Sequence, residues 1–301
     1  MVKTTRQFYR IAELDISVNF IEPKINNERL IPSFKNFELH SNPENLFFQI
    51  DVDDTIQPYS KNEVELIGNF DTGNGMTCVA RTLKSSSEEG YQFIIKDIKG
   101  NNCCLLISDK DFSCNRCALN GNYNMRRFGL NNALMLIWAF KGSYKDTLLI
   151  HASLVRHNNK GYAFIAKSGT GKSTHVGLWL RYIENCDLMN DDNPIIRVIN
   201  GEPYIFGSPW SGKTPCYRNI KAKLGAITRI ERAHENNIEK KQPIEAFASL
   251  LPSCSSMKWD HVIFNNICTT ITKVIETTDI FTLRCLPNKD AAILCHTTIS
   301  K

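Results

Sequence analysis

Residues 166–174 read Ala-Lys-Ser-Gly-Thr-Gly-Lys-Ser-Thr. This pattern is typical of a phosphate-binding loop, in which glycines let the backbone curl so that successive amide groups point at one anion. The lysine adds a positive charge, and the hydroxyl that follows it can bind a phosphate-bound Mg²⁺. The sequence therefore predicts a triphosphate-binding loop made of Ala166, Lys167, Ser168, Gly169, Thr170, Gly171, Lys172, Ser173 and Thr174, with Ala166 where the pattern has its first glycine.

The segments on both sides of the loop support this prediction. The apolar run Tyr162–Ile165 follows a turn at residues 157–161 and predicts a buried strand. Residues Thr174–Tyr182 contain no proline and carry apolar side chains at helical spacing, which predicts a helix. The N-terminus of such a helix would face the phosphates, where its dipole favours negative charge. A strand, a glycine-rich loop and a helix in this order form the context that the motif requires.

Length and composition limit the class of protein. The chain has 301 residues, 42% of them hydrophobic and 22% charged, which is ordinary for a soluble globular protein of about two domains. The net charge of +5 is spread along the sequence, so no basic block predicts a nucleic-acid partner. The longest apolar run, residues 133–140, is far shorter than a membrane span, and no secretory leader is evident. We expect a cytoplasmic protein with no membrane association.

The 11 cysteines allow two interpretations. In a reducing compartment most of them would be small buried thiols. Cys103, Cys104, Cys114 and Cys117 could instead form a zinc site, because Cys114 and Cys117 have the spacing of a zinc knuckle. Adjacent cysteines in a strand point to opposite faces, which argues against Cys103 and Cys104 both binding the metal.

The pattern of elements predicts an α/β (α+β) chain. Residues 1–120 are expected to form a β-rich domain with one antiparallel sheet, including a strand within Ile11–Phe20, because no helical pattern separates the strand candidates. Residues 121–145 are expected to contain a connecting helix, from Tyr123 to Phe140. Residues 146–301 are expected to form the nucleotide-binding domain, with a mixed sheet and flanking helices. The N-terminal domain is assigned to partner or substrate binding only by elimination.

Local signals place the later elements of the second domain. The run Leu148–Val155 predicts a strand, and Asn200-Gly201 predicts a hairpin between two further strands. Further predicted elements are a strand at 224–230, helices at 243–251 and 259–276, a strand at 281–286, and a terminal helix capped by Asn288.

Two adjacent carboxylates, Asp191 and Asp192, follow the apolar residues Leu188 and Met189. Asp, Asn and Pro are common turn residues, so without the neighbouring motif the Asp-Asp-Asn-Pro segment could be an ordinary solvent-exposed turn. The carboxyl ends of neighbouring strands in such a sheet face the same crevice, which places the pair beside the phosphate loop. One carboxylate could then hold Mg²⁺ while the other accepts a proton from an attacking hydroxyl.

Two further residues are candidates for the same crevice. His151 lies in the apolar run that is expected to neighbour the phosphate-loop strand, although a lone histidine is more often structural. Lys213 ends the segment Gly-Ser-Pro-Trp-Ser-Gly-Lys at 207–213, and a second ammonium there would neutralise charge on a moving phosphoryl group. The alternative for Lys213 is a solvated turn lysine.

The ordered set of His151-Ala-Ser, the loop at 168–174, Asp191-Asp192 and Ser208–Lys213 resembles the HPr serine kinase family, and also the nucleotide-binding half of ATP-dependent phosphoenolpyruvate carboxykinase. The resemblance covers roughly residues 145–300. It implies that Ser173 and Asp192 are metal-side ligands and that Asp191 and His151 are catalytic residues. It also implies a homo-oligomer. The glycine- and arginine-rich signature that accompanies HPr docking is absent, as is the arginine-rich oxaloacetate site of the carboxykinases.

The leading hypothesis is therefore a kinase that uses ATP and Mg²⁺, or Mn²⁺ in its place, to phosphorylate a hydroxyl, with a serine of a peptide or protein as the preferred acceptor. Asp191 would deprotonate that hydroxyl, while Lys172, Lys213 and the metal stabilise the γ-phosphoryl group. Three alternatives remain open: a small-molecule kinase, a nucleotide-binding regulatory module with little catalysis, and a carboxykinase-like enzyme.

Overall fold

The computed structural model describes residues 4–21, 29–83, 89–167 and 169–300. The chain divides into two compact units, Met1–Lys141 and Gly142–Lys301. Mixed sheets and helices make it an α/β protein, as predicted. No helix among the described residues is both long enough and apolar enough to cross a membrane.

The first unit contains a nine-stranded sheet in the order β3-β1-β2-β4-β9-β8-β7-β6-β5. Its strands are β1 (Thr4–Ile11), β2 (Leu14–Ile21), β3 (Glu38–Leu39), β4 (Phe48–Val52), β5 (Val64–Asp71), β6 (Gly75–Thr82), β7 (Gly90–Asp97), β8 (Asn102–Asp109) and β9 (Cys114–Leu119). The unit also includes helix α1, Tyr123–Gly142, apart from its last residue.

The prediction of a purely antiparallel sheet was wrong. Strands β5 to β9 form the expected antiparallel meander, but β4 lies between β2 and β9 and is parallel to both. The expected single strand within Ile11–Phe20 is the end of β1, a two-residue turn and β2, because Ala12 and Glu13 have positive φ values of 46° and 63°. Turns of this type connect hairpin strands.

The structure gives no support to a zinc site at the cysteines. Cys114 and Cys117 lie in strand β9, where a spacing of three residues points one thiol to solvent and the other into the core. Cys104 and Cys117 are fully buried, and their thiols share a hydrogen bond. Among the described residues, no group of three or more His, Cys, Asp or Glu side chains is arranged to hold a metal ion.

The second unit contains a mixed sheet in the order β10-β14-β15-β16-β12-β11-β13, with β18 beside β16 and β17 beside β18. Its strands are β10 (Thr147–Leu149), β11 (Ala152–His157), β12 (Lys160–Ile165), β13 (Cys186–Asp192), β14 (Ile195–Ile199), β15 (Glu202–Phe206), β16 (Lys221–Arg232), β17 (Asn237–Lys240) and β18 (Asp279–Cys285). Its helices are α2 (Lys172–Tyr182), α3 (Pro243–Leu250), α4 (His261–Thr277) and α5 (Lys289–Ile299).

Helices cover both faces of this sheet. Helices α2 and α5 pack on one face over a core that contains Phe164 and Trp179, both fully buried. Helix α3 lies over the opposite face, where the guanidinium of Arg229 on β16 bonds the backbone oxygen of Ser249, and α4 packs against α3. Apart from the strand at 148–155, the local predictions for this unit are confirmed, including the Asn200-Gly201 turn and the Asn288 cap, whose side chain accepts a hydrogen bond from the amide of Ala291.

Candidate functional site: a phosphate loop at the carboxyl edge of the second sheet

The predicted phosphate loop connects β12 to α2. Strand β12 ends at Ile165 and helix α2 begins at Lys172, so the strand, loop and helix occur in the required order. Gly169 and Gly171 have backbone φ values of 76° and 125°, which residues other than glycine rarely adopt. Apart from the adjacent residues in the chain, no described residue has an atom within 4 Å of a Cβ added at either glycine, so the space beside the two glycines is open. Ser168 lies outside the described residues.

Strand direction brings the other candidates to the same edge of the sheet. Strand β11 is antiparallel to both β12 and β13, so it begins where those two strands end. The apolar run 148–155 was predicted to form one strand, but it contributes to two separate strands, β10 and β11. His151 lies between them, immediately before β11, and Asp191 and Asp192 are the last residues of β13. The start of β11 therefore places His151 beside the ends of β12 and β13.

Lys172, His151 and Asp192 form a continuous polar chain. The Nζ atom of Lys172 lies 2.6 Å from Nε2 of His151 and 3.3 Å from the backbone oxygen of Ala166. Nδ1 of His151 lies 3.1 Å from Oδ1 of Asp192. Because the ammonium donates to Nε2, the imidazole proton must be on Nδ1, where it is donated to the carboxylate. The histidine therefore links the loop lysine to the carboxylate.

The charge of Lys172 lies in a partly desolvated place. Burial lowers its pKa from the usual lysine value, and the carboxylates of Asp192 and Asp191 oppose that shift. Such a lysine keeps its charge through neighbouring anions, and a bound phosphate would add to them. The ammonium is thus suited to an anionic ligand.

Asp191 and Asp192 have different surroundings. Asp191 is 5% exposed, and its carboxylate accepts hydrogen bonds from the hydroxyl of Ser153 at 2.8 Å and from the amide of Thr214 at 3.3 Å. The side chain of Asp192 is 33% exposed and also accepts a hydrogen bond from the side-chain amide of Asn193 at 2.7 Å. Asp192 is therefore the more accessible carboxylate of the pair.

The segment that carries Lys213 is attached to the end of β13. The amide of Gly212 bonds the backbone oxygen of Asp191 at 2.5 Å, and a Cβ at Gly212 would come within 2.8 Å of that oxygen. The residue on the other side, Thr214, bonds the Asp191 carboxylate. Lys213 therefore lies between two residues that are bonded to Asp191, and it is exposed.

Sequence reasoning missed Asn190, which organises this segment. Asn190 is fully buried, and its amide nitrogen lies 3.1 Å from the backbone oxygen of Trp210 and 3.3 Å from that of Ser208. Its side-chain oxygen accepts a hydrogen bond from the amide of Asn193. The only sequence signal was an amide residue at the end of an apolar strand, beside the two aspartates.

Ser173 and Asp192 are the predicted metal ligands. Ser173 is exposed in the first turn of α2, at the N-terminal end that faces the loop. A hydroxyl and a carboxylate are hard oxygen donors of the kind that Mg²⁺ binds together with phosphate oxygens and water. The residue types therefore fit a magnesium ion.

Comparisons with known proteins identify no family. No family model matches the chain, and no curated protein matches it. One solved structure to which the chain is similar is described as "Structure of the Hpr(Ser) kinase/phosphatase from Coxiella burnetii", with 9% sequence identity and a TM-score of 0.30 over 50% of this chain and 93% of that chain. Both values are low, so this similarity assigns no activity to the chain.

Proposed function

We propose that this protein is a phosphotransferase that uses ATP and Mg²⁺ to phosphorylate a hydroxyl group, with a serine of a peptide or protein as the acceptor. One observation carries the proposal: Lys172, His151 and Asp192 are linked by contacts of 2.6 and 3.1 Å beside a glycine loop with open space. Phosphoryl transfer depends mainly on positioning and on neutralising charge, and these residues supply both.

Lys172 is proposed to exchange its present partners for phosphate oxygens. In the structure its ammonium contacts an imidazole nitrogen and a backbone oxygen, which are neutral acceptors. A phosphate oxygen is a stronger partner for the ammonium, because it carries a negative charge. Lys213 is proposed to supply the second positive charge, since it is exposed and is held near the end of β13 by its neighbours.

Ser173 and Asp192 are proposed to hold the metal ion, which when bound would neutralise charge on the β- and γ-phosphates. His151 supports this role of Asp192, because its Nδ1–H fixes one carboxylate oxygen at 3.1 Å and keeps the side chain in place. Asn193 bonds the other oxygen. Each oxygen has more than one lone pair, so the carboxylate keeps acceptor capacity for a cation.

Asp191 is proposed to accept the proton of the attacking hydroxyl. The hydroxyl of Ser153 donates to one of its oxygens at 2.8 Å and so holds the carboxylate in place at the end of β13. The bond from the amide of Thr214 to the other oxygen is long, at 3.3 Å, and it is the contact that an acceptor hydroxyl would replace. Binding of the acceptor would then move the segment from Ser211 to Thr214.

One observation favours the alternative of a nucleotide-binding module with little catalysis. Asp191 is 5% exposed and both of its oxygens are bonded, so an acceptor hydroxyl cannot reach it unless that segment moves. The two functions differ in a single measurable property, the transfer of phosphate to a hydroxyl at a rate well above hydrolysis.

The experiment is transfer of a labelled γ-phosphate from ATP to serine-containing peptides and to small polyols. We expect Mg²⁺-dependent transfer by the wild type, and a loss on the order of 10²–10⁴-fold in Asp191→Asn with ATP binding retained. Asp279→Asn is the matched control, since Asp279 is a surface residue paired with Lys240. Equal transfer by Asp191→Asn would contradict its role as base, and ATP binding without transfer to any acceptor would establish the alternative.

A further inference from the structure

Arg232 holds the phosphate loop from a distant part of the chain. Its Nε atom donates to the backbone oxygen of Thr170 at 3.0 Å, and its Nη2 atom donates to that of Gly169 at 2.6 Å. One guanidinium therefore bridges two consecutive carbonyl groups of the loop. A planar guanidinium is suited to such a bond pair, whereas an ammonium is not.

The register of the sheet explains why Arg232 reaches the loop. Strands β12 and β16 are parallel, and Ile165, the last residue of β12, lies opposite Arg229. Strand β16 continues for three residues beyond that point, about 10 Å at the usual rise of a parallel strand. Ala226 and Ile230 pack into the core under α2, so the alternation of the strand puts Arg232 on the same face.

The contact has a consequence for the amide groups of the loop. In a planar peptide unit, the carbonyl and the amide of the next residue point in opposite directions. When Arg232 holds the carbonyl of Thr170, the amide of Gly171 is turned away from Arg232. The amide of Thr170 also bonds the backbone oxygen of Lys167 at 3.1 Å, so the peptide unit that Arg232 alone is proposed to restrain is the one between Thr170 and Gly171. Glycine at 171 would otherwise let that unit rotate, and a carbonyl turned toward the ligand would repel phosphate.

We propose that Arg232 is a positioning residue that keeps the loop carbonyls away from the phosphate site and so preorganises the loop for nucleotide. This inference rests on the proposed function for its ligand, a nucleoside triphosphate with Mg²⁺. The structural part, a loop restrained by one arginine, stands on the two hydrogen bonds alone. Preorganisation of this kind strengthens binding because less freedom is lost when the ligand arrives.

The test compares Arg232→Ala and Arg232→Lys with the wild type and with Arg181→Ala. Arg181 is an exposed arginine on α2 that lies over the ring of Tyr182, so it controls for the loss of a surface charge. Two readouts are needed: hydrogen exchange of the amides in residues 166–172 without nucleotide, and the dissociation constant for Mg²⁺ with a non-hydrolysable ATP analogue.

We expect Arg232→Ala to accelerate exchange in the loop and to weaken nucleotide binding by about tenfold or more, while Arg181→Ala changes neither. Arg232→Lys keeps the charge but not the bridging geometry, so it should also exchange faster and raise KM for ATP more than it lowers kcat. If Arg232→Lys had the same loop exchange rates and the same nucleotide affinity as the wild type, the proposal would be wrong, because a positive charge at this position would then be enough to hold the loop.

The outcomes also separate this inference from the proposed function. If Arg232→Ala behaves as the wild type in both readouts, the positioning role is wrong while nucleotide binding by the wild type still supports the phosphotransferase. If the wild type binds no nucleotide, the proposed function is wrong, and the exchange rates alone decide whether Arg232 restrains the loop.

Discussion

The two ends of strand β11 each carry a histidine, and the two histidines have different surroundings. His151, just before the strand, has a side chain that is 46% exposed and contacts Lys172 and Asp192. His157, at the other end, is 8% exposed. Its Nδ1 lies 3.0 Å from the backbone oxygen of Glu184, and its Nε2 lies 3.1 Å from Nε2 of His296.

At both ends of β11, the hydrogen-bond partners of the histidine determine which ring nitrogen carries the proton. At His157, Nδ1 must donate to a carbonyl, so Nε2 is an acceptor, and its neighbours are the side-chain amide nitrogen of Asn158 at 2.9 Å and Nε2 of His296 at 3.1 Å. The rings of His157 and His296 meet edge to face at 4.7 Å, and His296 packs on Trp179 at 5.4 Å. His157 is therefore held in the core, whereas His151 has charged, partly exposed partners that a ligand can replace. The same residue type is therefore buried at one end of the strand, and partly exposed beside a lysine and a carboxylate at the other.

The largest expected effect is the loss of phosphate transfer when Lys172, at the exposed end of β11 beside His151, is replaced. Replacement of Lys172 by alanine removes the ammonium that faces the open loop, so phosphate transfer should fall at least on the order of 10²–10³-fold. Thermal unfolding should change little, because the hydrogen bonds of this side chain to described residues are those to His151 and Ala166. A steady-state transfer assay and a melting curve check the two parts. Transfer that survives in Lys172→Ala would break the comparison, since the exposed end would then carry no chemistry.

The two histidines themselves provide the next test. His151→Ala should lower transfer by about 10²-fold and change the free energy of unfolding by less than about 0.5 kcal/mol. His157→Ala should do the reverse, with a cost of about 1–3 kcal/mol because Glu184 and His296 lose their partner, and with unchanged transfer. Urea unfolding and the transfer assay measure both quantities. The same pattern in the two variants would show that the distinction between the ends is wrong.

A third prediction concerns pH and the core beside His157. His175 is buried between Phe164 and Trp179, and burial lowers its pKa to about 4. In the unfolded chain the histidine binds a proton near pH 6.5, so the unfolded state takes up protons before the native state does. Stability is therefore complete above pH 6.5 and should fall by about 3 kcal/mol as the pH drops toward 4.

Urea unfolding at several pH values checks this prediction. His175→Gln keeps an acceptor for the indole of Trp179 but cannot titrate, so its stability should depend less steeply on pH in this range. Burial also lowers the pKa of His296, which adds a smaller contribution of the same sign. An identical pH dependence in the wild type and in His175→Gln would exclude His175 as the source.

The smallest expected effect concerns the cap of helix α5, which carries His296. The side chain of Asn288 accepts a hydrogen bond from the amide of Ala291 at 3.0 Å. Asn288→Ala should lower the free energy of unfolding by about 1 kcal/mol in urea unfolding, because the first turn of α5 loses a hydrogen-bond acceptor. The side-chain oxygen of Asn288 accepts from Ala291 and Asn236 and from no residue of the phosphate loop, so nucleotide binding should be unchanged. A loss of nucleotide affinity would show that the cap and the loop, which lie at the same edge of the sheet, are coupled.

Elements with a local signal were predictable from the sequence. The Asn200-Gly201 hairpin, the phosphate loop and the Asn288 cap each depend on residues that are close in the chain. The position of β4 between β2 and β9 was not predictable, because it depends on pairing between segments far apart in sequence. Cys114 and Cys117 were similarly ambiguous, since the same spacing occurs in a metal knuckle and in a strand.

The candidate site was predictable as a set of motifs but not in its details. Lys172, His151 and Asp192 could be expected at one edge because the motifs follow strand ends. That Asp191 is buried while Asp192 is accessible depends on Ser153 and on the segment bonded to the end of β13. Arg232 carried no signal, because its role arises only from the register between β12 and β16.

The most direct test of the central claim is a calorimetric titration of ATP and Mg²⁺ into the wild type and into Lys172→Ala, with Arg181→Ala as the control. The account predicts saturable binding at one site in the wild type and the control, and its loss in Lys172→Ala. Equal binding by all three proteins, or no binding by the wild type, would contradict the claim that Lys172, His151 and Asp192 form a nucleotide phosphate site.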